Sequence, residues 1–205
     1  MRAAQALRRS RSAATPAERL LDAGLRMAEL RNEDAVLAAL VAEARALVGA
    51  RRVLVASATG DGLVVGAAHV PRGQDARSLL RLVTPVLEQA RKTRGAALCA
   101  MPATNGSAMR RRCVVVPLFA RARLLAVLYA DAAGAPDDLD DADCDTLATL
   151  AALGASALAN ARIVQTLERR PVDEHQRLLK ENEQRNAELA VINAIQQGIS
   201  AELEL

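Results

Sequence analysis

Cys113-Val-Val-Val-Pro-Leu-Phe119 and, after a short basic turn, Leu124-Leu-Ala-Val-Leu-Tyr129 decide how the rest of the chain is read. Both are apolar runs of strand length, rich in residues that fit a pleated surface, and the short connection makes them an antiparallel pair. An acidic stretch, Asp137 to Asp145, then opens a long Ala/Leu-rich helix that closes near Ala159-Asn-Ala-Arg-Ile163. The order is two sheet strands docked to a helix that leaves the domain. Carboxylates in the first turn complement the helix dipole, by roughly 0.3–1 kcal/mol each when well placed. The acidic run lacks the alternating oxygen ligands, central Gly and closing Glu of an EF-hand loop, so the dipole accounts for it better than calcium does.

Working upstream, residues 1–14 read as a disordered basic tail. Thr15-Pro16-Ala17-Glu18 places a capping Thr, a Pro at the first helical position and a Glu at the third. Leu20, Leu21, Leu25 and Leu30 then give an amphipathic helix over 16–31. Asn32 caps a second helix with a broad apolar face (Val36, Leu37, Leu40, Val41, Ala44, Leu47, Val48), and Gly49 stops it. Two strands, Val53 to Ser57 and Leu63 to Val70, flank the turn Thr59-Gly60-Asp61-Gly62. Residues 75–93 read as a helix or helix pair, with Pro85 a kink or division. Ala96 to Ala100 is a short strand, followed by a loop from Met101 to Arg110. This succession predicts an α+β fold, an antiparallel sheet with helices gathered on one side.

Val116-Pro117-Leu118, the strand from Leu125 to Tyr129 with Asp131 two residues on, and the helix from Asp143 to Ile163 closing on Ala159-Asn160-Ala161-Arg162 resemble the GAF domain. The resemblance covers roughly residues 20–165. It implies a sheet of five or six strands with flanking helices, a loop-covered cavity on the other face, and a small-molecule sensing and dimerising role in signalling. The expected domains are the tail (1–14), a GAF-like sensor (15–165) and a coiled-coil linker (166–205) running toward a second module. The chain is expected to be part of a longer protein.

The linker rests on a change of composition after Pro171. Leu178, Leu189, Ile192, Ile199 and Leu203 fall on a and d positions of one heptad frame, with Asn182 at an a position suited to fixing register. Leu147, Leu150, Ala157, Ala161 and Val164 fall on the same frame, and Gly154, Ala157 and Ala161 would let helices approach closely. The long N-terminal helix and the C-terminal helix (140–170) are therefore expected to form a dimeric bundle. Its interface would hold Leu147, Leu150, Gly154, Ala157, Ala161, Val164, Leu178, Asn182, Leu189 and Ile192, in a parallel homodimer pointing toward an effector such as a kinase or nucleotide cyclase.

Composition narrows the chemistry. The chain has 205 residues, 51% of them hydrophobic, so it can bury a core, yet Phe119 and Tyr129 are its only aromatics. Few aromatic walls can be built for a purine or tetrapyrrole. The net charge is +3, and Arg2, Arg8, Arg9 and Arg11 all precede the first acidic residue, so the remainder is close to neutral. No nucleic-acid or membrane partner is expected, since the basic tail reads as solvated and no secretory or spanning segment is present. Cys99, Cys113 and Cys144 have no metal-type spacing and do not form a disulfide framework. The chain reads as cytoplasmic.

No catalytic constellation is visible. His69 lies in a strand and His175 on a polar helix, neither marked as a base of a triad. Gly60-Asp61-Gly62 is a turn between strands and not a phosphate loop. Within the resemblance, the Asn-Lys pair of cyclic-nucleotide binders is missing, no Cys is followed by His as in bilin attachment, and His69 is the only haem ligand in reach. An enzyme of the methionine-sulfoxide-reductase type would need a matched cysteine arrangement. The cofactor is left unknown. The ligand-binding candidates are Arg110, Arg111 and Arg112, which with Arg121 and Arg123 could hold a phosphate or carboxylate, and Cys99 and Cys113, which on neighbouring strands could sense oxidants. A ligand-free dimerisation module is the other reading.

Overall fold

The computed structural model describes residues 15–100, 112–132, 139–168, 180 and 184–185. The chain divides into two compact units, Met1–Arg162 and Ile163–Leu205. The first holds helices α1 (Pro16–Ala28) and α2 (Glu33–Val48), strands β1 (Arg52–Thr59) and β2 (Gly62–His69), helix α3 (Ala76–Thr93), and strands β3 (Ala97–Ala100), β4 (Arg112–Ala120) and β5 (Arg123–Asp131). A last helix, α4, covers Asp141–Glu168. Of the second unit, residues 163–168 continue α4, and Lys180, Gln184 and Arg185 are helical and exposed.

The local signals hold. The Thr15 hydroxyl accepts from the Glu18 N–H at 3.2 Å while the Glu18 carboxylate accepts from the Thr15 N–H at 2.7 Å, a complete capping box. Asn32 caps α2 through the Asp34 N–H, and Gly49 closes it at φ 65°, where a side chain would be strained. Asp140 and Asp143 exchange backbone-to-carboxylate hydrogen bonds at the entrance to α4, which is what part of the acidic run does. Among the described residues, no group of His, Cys, Asp or Glu is placed to hold a metal ion. α3 is one helix with Pro85 inside it. Pro85 and Arg81 lie on the exposed side, so the carbonyl that loses its partner there faces water.

The five strands form one antiparallel sheet in the order β2-β1-β5-β4-β3. Strand residues alternate between two faces, and each face has its own core. Val53, Val55, Val114, Val116, Ala126, Leu128 and Ala130 pack with α1, α2 and α4. Leu54, Ala56, Val115, Val127 and Tyr129 pack with Leu79, Val83, Leu87 and Ala90 of α3. The expectation of helices on one side with a cavity on the other is thus corrected. An amphipathic α3, with four buried side chains on one stripe, closes the second face.

Ion pairs tie the helices together on the first face. Arg162 grips Glu33 with two hydrogen bonds, one of 3.0 Å, which gives the Asn-Ala-Arg ending of the helix a structural task. Arg26 reaches Glu43 at 2.7 Å. α4 is long and apolar enough to cross a membrane by length and composition alone. Much of that apolar surface, including Leu147, Leu150, Ala151, Ala155 and Leu158, is spent on the core of the first unit.

Candidate functional site

The densest polar chemistry lies on the α3 side, at the end of the sheet where β1, β5 and β4 meet. Arg52 opens β1 and Asp131 closes β5, and the two are opposite one another in the sheet register. Asp131 is fully buried. It accepts from Arg52 Nε at 2.9 Å at both oxygens, from an Arg52 terminal nitrogen, and from the Tyr129 hydroxyl at 2.6 Å. A buried carboxylate without such partners would cost several kcal/mol, roughly 3–5 when one partner of a pair is removed. The hydrogen bonds it donates to Asp131 hold the Arg52 guanidinium even more firmly protonated than usual. Burial, and then the negative charge of Asp131, push the Tyr129 phenol far above its ordinary range.

Cys113 is the register partner of Asp131 on β4 and also of Cys99 on β3. The two candidate cysteines are therefore brought directly opposite each other on adjacent strands. Both thiols are free. Burial raises Cys113 to about 12, helped by the nearby Cys99 and Asp131, and burial raises the half-exposed Cys99 as well. Neither is a ready thiolate at neutral pH.

The arginine cluster does not assemble as expected. Arg112 starts β4 and donates to the Leu139 carbonyl at 3.3 Å, whereas Arg121 and Arg123 sit at the turn on the far end of the same strand. Eight strand steps separate the two ends by roughly 26 Å. Arg110 and Arg111 lie outside the described residues. His69 ends β2 and lines a groove of about 760 Å³ together with Arg45 and Arg51, a grouping that sequence reading missed.

The dimer-interface expectation also needs correction. Leu147, Leu150, Gly154, Ala157 and Ala161 are buried inside the first unit itself. A Cβ on Gly154 would run into Leu40, with the Leu40 Cγ at 2.9 Å, so the small residue serves contact between α4 and α2. Heptad spacing marks one face of a helix and does not say whose surface that face meets. Val164 is half-buried; Leu178, Asn182, Leu189 and Ile192 lie outside the described residues. Among the described residues, the large apolar side chains left exposed are Leu21 and Leu25 of α1, at 63% and 60%, Val64 of β2, and Ile163 and Leu167 in the second unit. Of the four leucines that mark α1 as amphipathic in the sequence, Leu20 and Leu30 pack partly against the core, and the fully buried positions of the helix are Ala23 and Met27.

The geometry agrees with what comparison with known proteins finds. The GAF domain family model matches residues 32–158, more than half of the chain. Comparison with curated proteins gives no match. Among solved structures, the GAF domain of a phosphoenolpyruvate-protein phosphotransferase from Coxiella burnetii is 13% identical, with a TM-score of 0.59 over 74% of this chain and 96% of that one. The GAF domain of a protein assigned as a sensor histidine kinase from Pseudomonas syringae pv. tomato is 22% identical, with a TM-score of 0.56 over 80% and 99%. A free methionine-R-sulfoxide reductase from Neisseria meningitidis, solved with its substrate, is also 22% identical, with a TM-score of 0.56 over 72% and 90%. At these identities the likeness is one of fold. With the family model spanning both the sheet and the start of α4, the chain belongs to the GAF domain family.

Proposed function

We propose that this chain is a non-enzymatic regulatory domain of a cytoplasmic signalling protein, a module that self-associates and passes a sensed state to an effector. The observation that carries the reading is the exposed pair Leu21 and Leu25 on α1, a helix otherwise well capped and ion-paired into the fold. Ala17, Ala28 and, on the neighbouring α4, Ala152 and Ser156 are exposed small residues. Gly24 lets α1 approach Leu153 of α4, so the two helices together offer a low apolar ridge to a second copy. Burying two leucines on each copy is favourable by roughly 1.5–3 kcal/mol per side chain before ordering costs. Past Arg162 the chain would continue as a parallel coiled coil toward a kinase, cyclase or similar output domain. Related folds occur in a sensor kinase assignment and in a GAF domain/HD domain protein from Geobacter sulfurreducens.

A thiolate-dependent sulfoxide reductase is disfavoured by the thiols, since burial holds Cys113 and Cys99 away from the thiolate form. A redox input is the second reading, favoured by the Cys99–Cys113 register: exchange with a disulfide reagent would join the two sulfurs, and the reagent would leave as two thiols carrying the two electrons and two protons. A ligand-free dimerisation module is equally compatible with the closed α3 face. Sedimentation velocity of the wild type and of L21E/L25E tests the common element. A dimer that the double substitution converts to monomer supports the proposal; a monomeric wild type, or a dimer indifferent to the substitutions, rejects it.

A further inference from the structure

Where α2 ends beside the β2 edge, on the other side of the sheet from Tyr129 and Asp131, the groove has a composition that its neighbours do not explain. Its walls are small and apolar, Ala38, Ala42 and Ala46 from α2, with β2 reached at Ala68, whose side chain packs on the α3 side, and its polar side chains are Arg45, Arg51 and His69. Among the described residues, no acidic side chain lines it. Neither Arg45 nor Arg51 forms an ion pair with any described residue, although Arg19, Arg26, Arg52 and Arg162 are all engaged. Two of the four terminal carbonyls of α2, which would repel an anion when free, are satisfied: the Ala46 carbonyl accepts from Arg19 at 2.6 Å and the Arg45 carbonyl from the Gly49 N–H at 2.9 Å. Arg51 is fixed through its own N–H, which donates to the Asp131 carbonyl at 2.8 Å.

We propose that this groove binds a small organic carboxylate, its head paired with Arg45 and Arg51 and its short aliphatic body lying on the alanine floor. The volume, about 760 Å³, falls in the range of small-molecule sites, roughly 300–1,000 Å³. Guanidinium groups are suited to a carboxylate head. The floor has no aromatic side chain, since Phe119 and Tyr129 lie elsewhere, so a flat ring gains little there. This site is separate from the helical surface of self-association, and its failure would leave that reading intact.

The test is amide chemical-shift titration of the whole chain with sodium octanoate, and in parallel with inorganic phosphate. Saturable shifts at Ala42, Gly49 and Ala68, with a dissociation constant on the order of a millimolar, are expected for octanoate. Binding should weaken roughly tenfold or more in R45Q/R51Q, whose two side chains are exposed and form no ion pair with a described residue. Ala42→Glu, which puts a carboxylate into the groove, should abolish it and decides the matter if the double variant is poorly folded. Absence of saturable octanoate shifts, equal affinity in the variants, or phosphate binding more tightly than octanoate would overturn the proposal.

Discussion

Gly154→Ala separates two accounts of α4 by the sign of its effect. In an exposed helix interior the change stabilises by roughly 0.8–1 kcal/mol, because Gly loses more backbone entropy than Ala. That gain is expected if the face met a second copy and the monomer were merely open there. In the structure the added Cβ collides with Leu40, whose Cγ would lie at 2.9 Å, and Leu40 is fully buried and has nowhere to swing. Overpacking of this kind costs roughly 1–3 kcal/mol, so the net effect is a destabilisation of up to about 2 kcal/mol. The double-mutant cycle sharpens the test. Leu40→Ala alone should cost roughly 2–5 kcal/mol, and in its presence Gly154→Ala should become neutral or stabilising, because the methyl enters the vacated space. Urea unfolding at several protein concentrations measures both quantities while isolating any dimer contribution. A stabilising single substitution that is additive with Leu40→Ala refutes the assignment of Gly154 to internal packing.

Further outcomes follow from the buried groups. Asp131→Ala should destabilise by roughly 3 kcal/mol or more, since it strands a guanidinium whose side chain is only 11% exposed; an Arg52→Met/Asp131→Leu pair should cost less than Asp131→Ala alone, read by urea unfolding. Iodoacetamide at pH 8 should leave Cys113 unmodified in the folded protein and modify all three cysteines in denaturant, as peptide mapping would show. Asp75 accepts from the N–H and hydroxyl of Ser78 and is held below its ordinary carboxylate range chiefly by that backbone bond. Its contribution is therefore complete above the unfolded pKa and lost as pH falls through the depressed folded value. Asp75→Ala should flatten that part of the acid limb of a stability curve.

What could be read from the residues alone was whatever a short window encodes. The Thr15-Glu18 box, the Asn32 and Gly49 caps and the Gly60-Asp61 turn are local devices, so their sequences suffice to place them. The Val116-Pro117-Leu118 and Leu125 to Tyr129 strands carried the family. Arg52 and Asp131 are 79 residues apart, and their pairing exists only because β1 and β5 are neighbours. A charged residue opening an otherwise buried apolar strand was the available hint. The periodicity of α4 was correct as to face and misleading as to partner, because a helix packed on its own α2 and one packed on a twin show the same spacing. The grouping of Arg45, Arg51 and His69 had no signal in the sequence, being gathered from a helix end, a loop and a strand end.

The surface of self-association is tested most directly by cross-linking between copies. In a chain whose three native cysteines are replaced by Ala, Leu21→Cys should form a disulfide-linked dimer under mild oxidation, because that bond needs Cα atoms of two copies within about 7 Å. Val64→Cys, on the exposed part of β2 and 47% exposed natively, is the control and should not. A covalent dimer through position 21 and none through position 64 is the predicted result. No dimer at position 21, or equal dimer at both, would contradict the account.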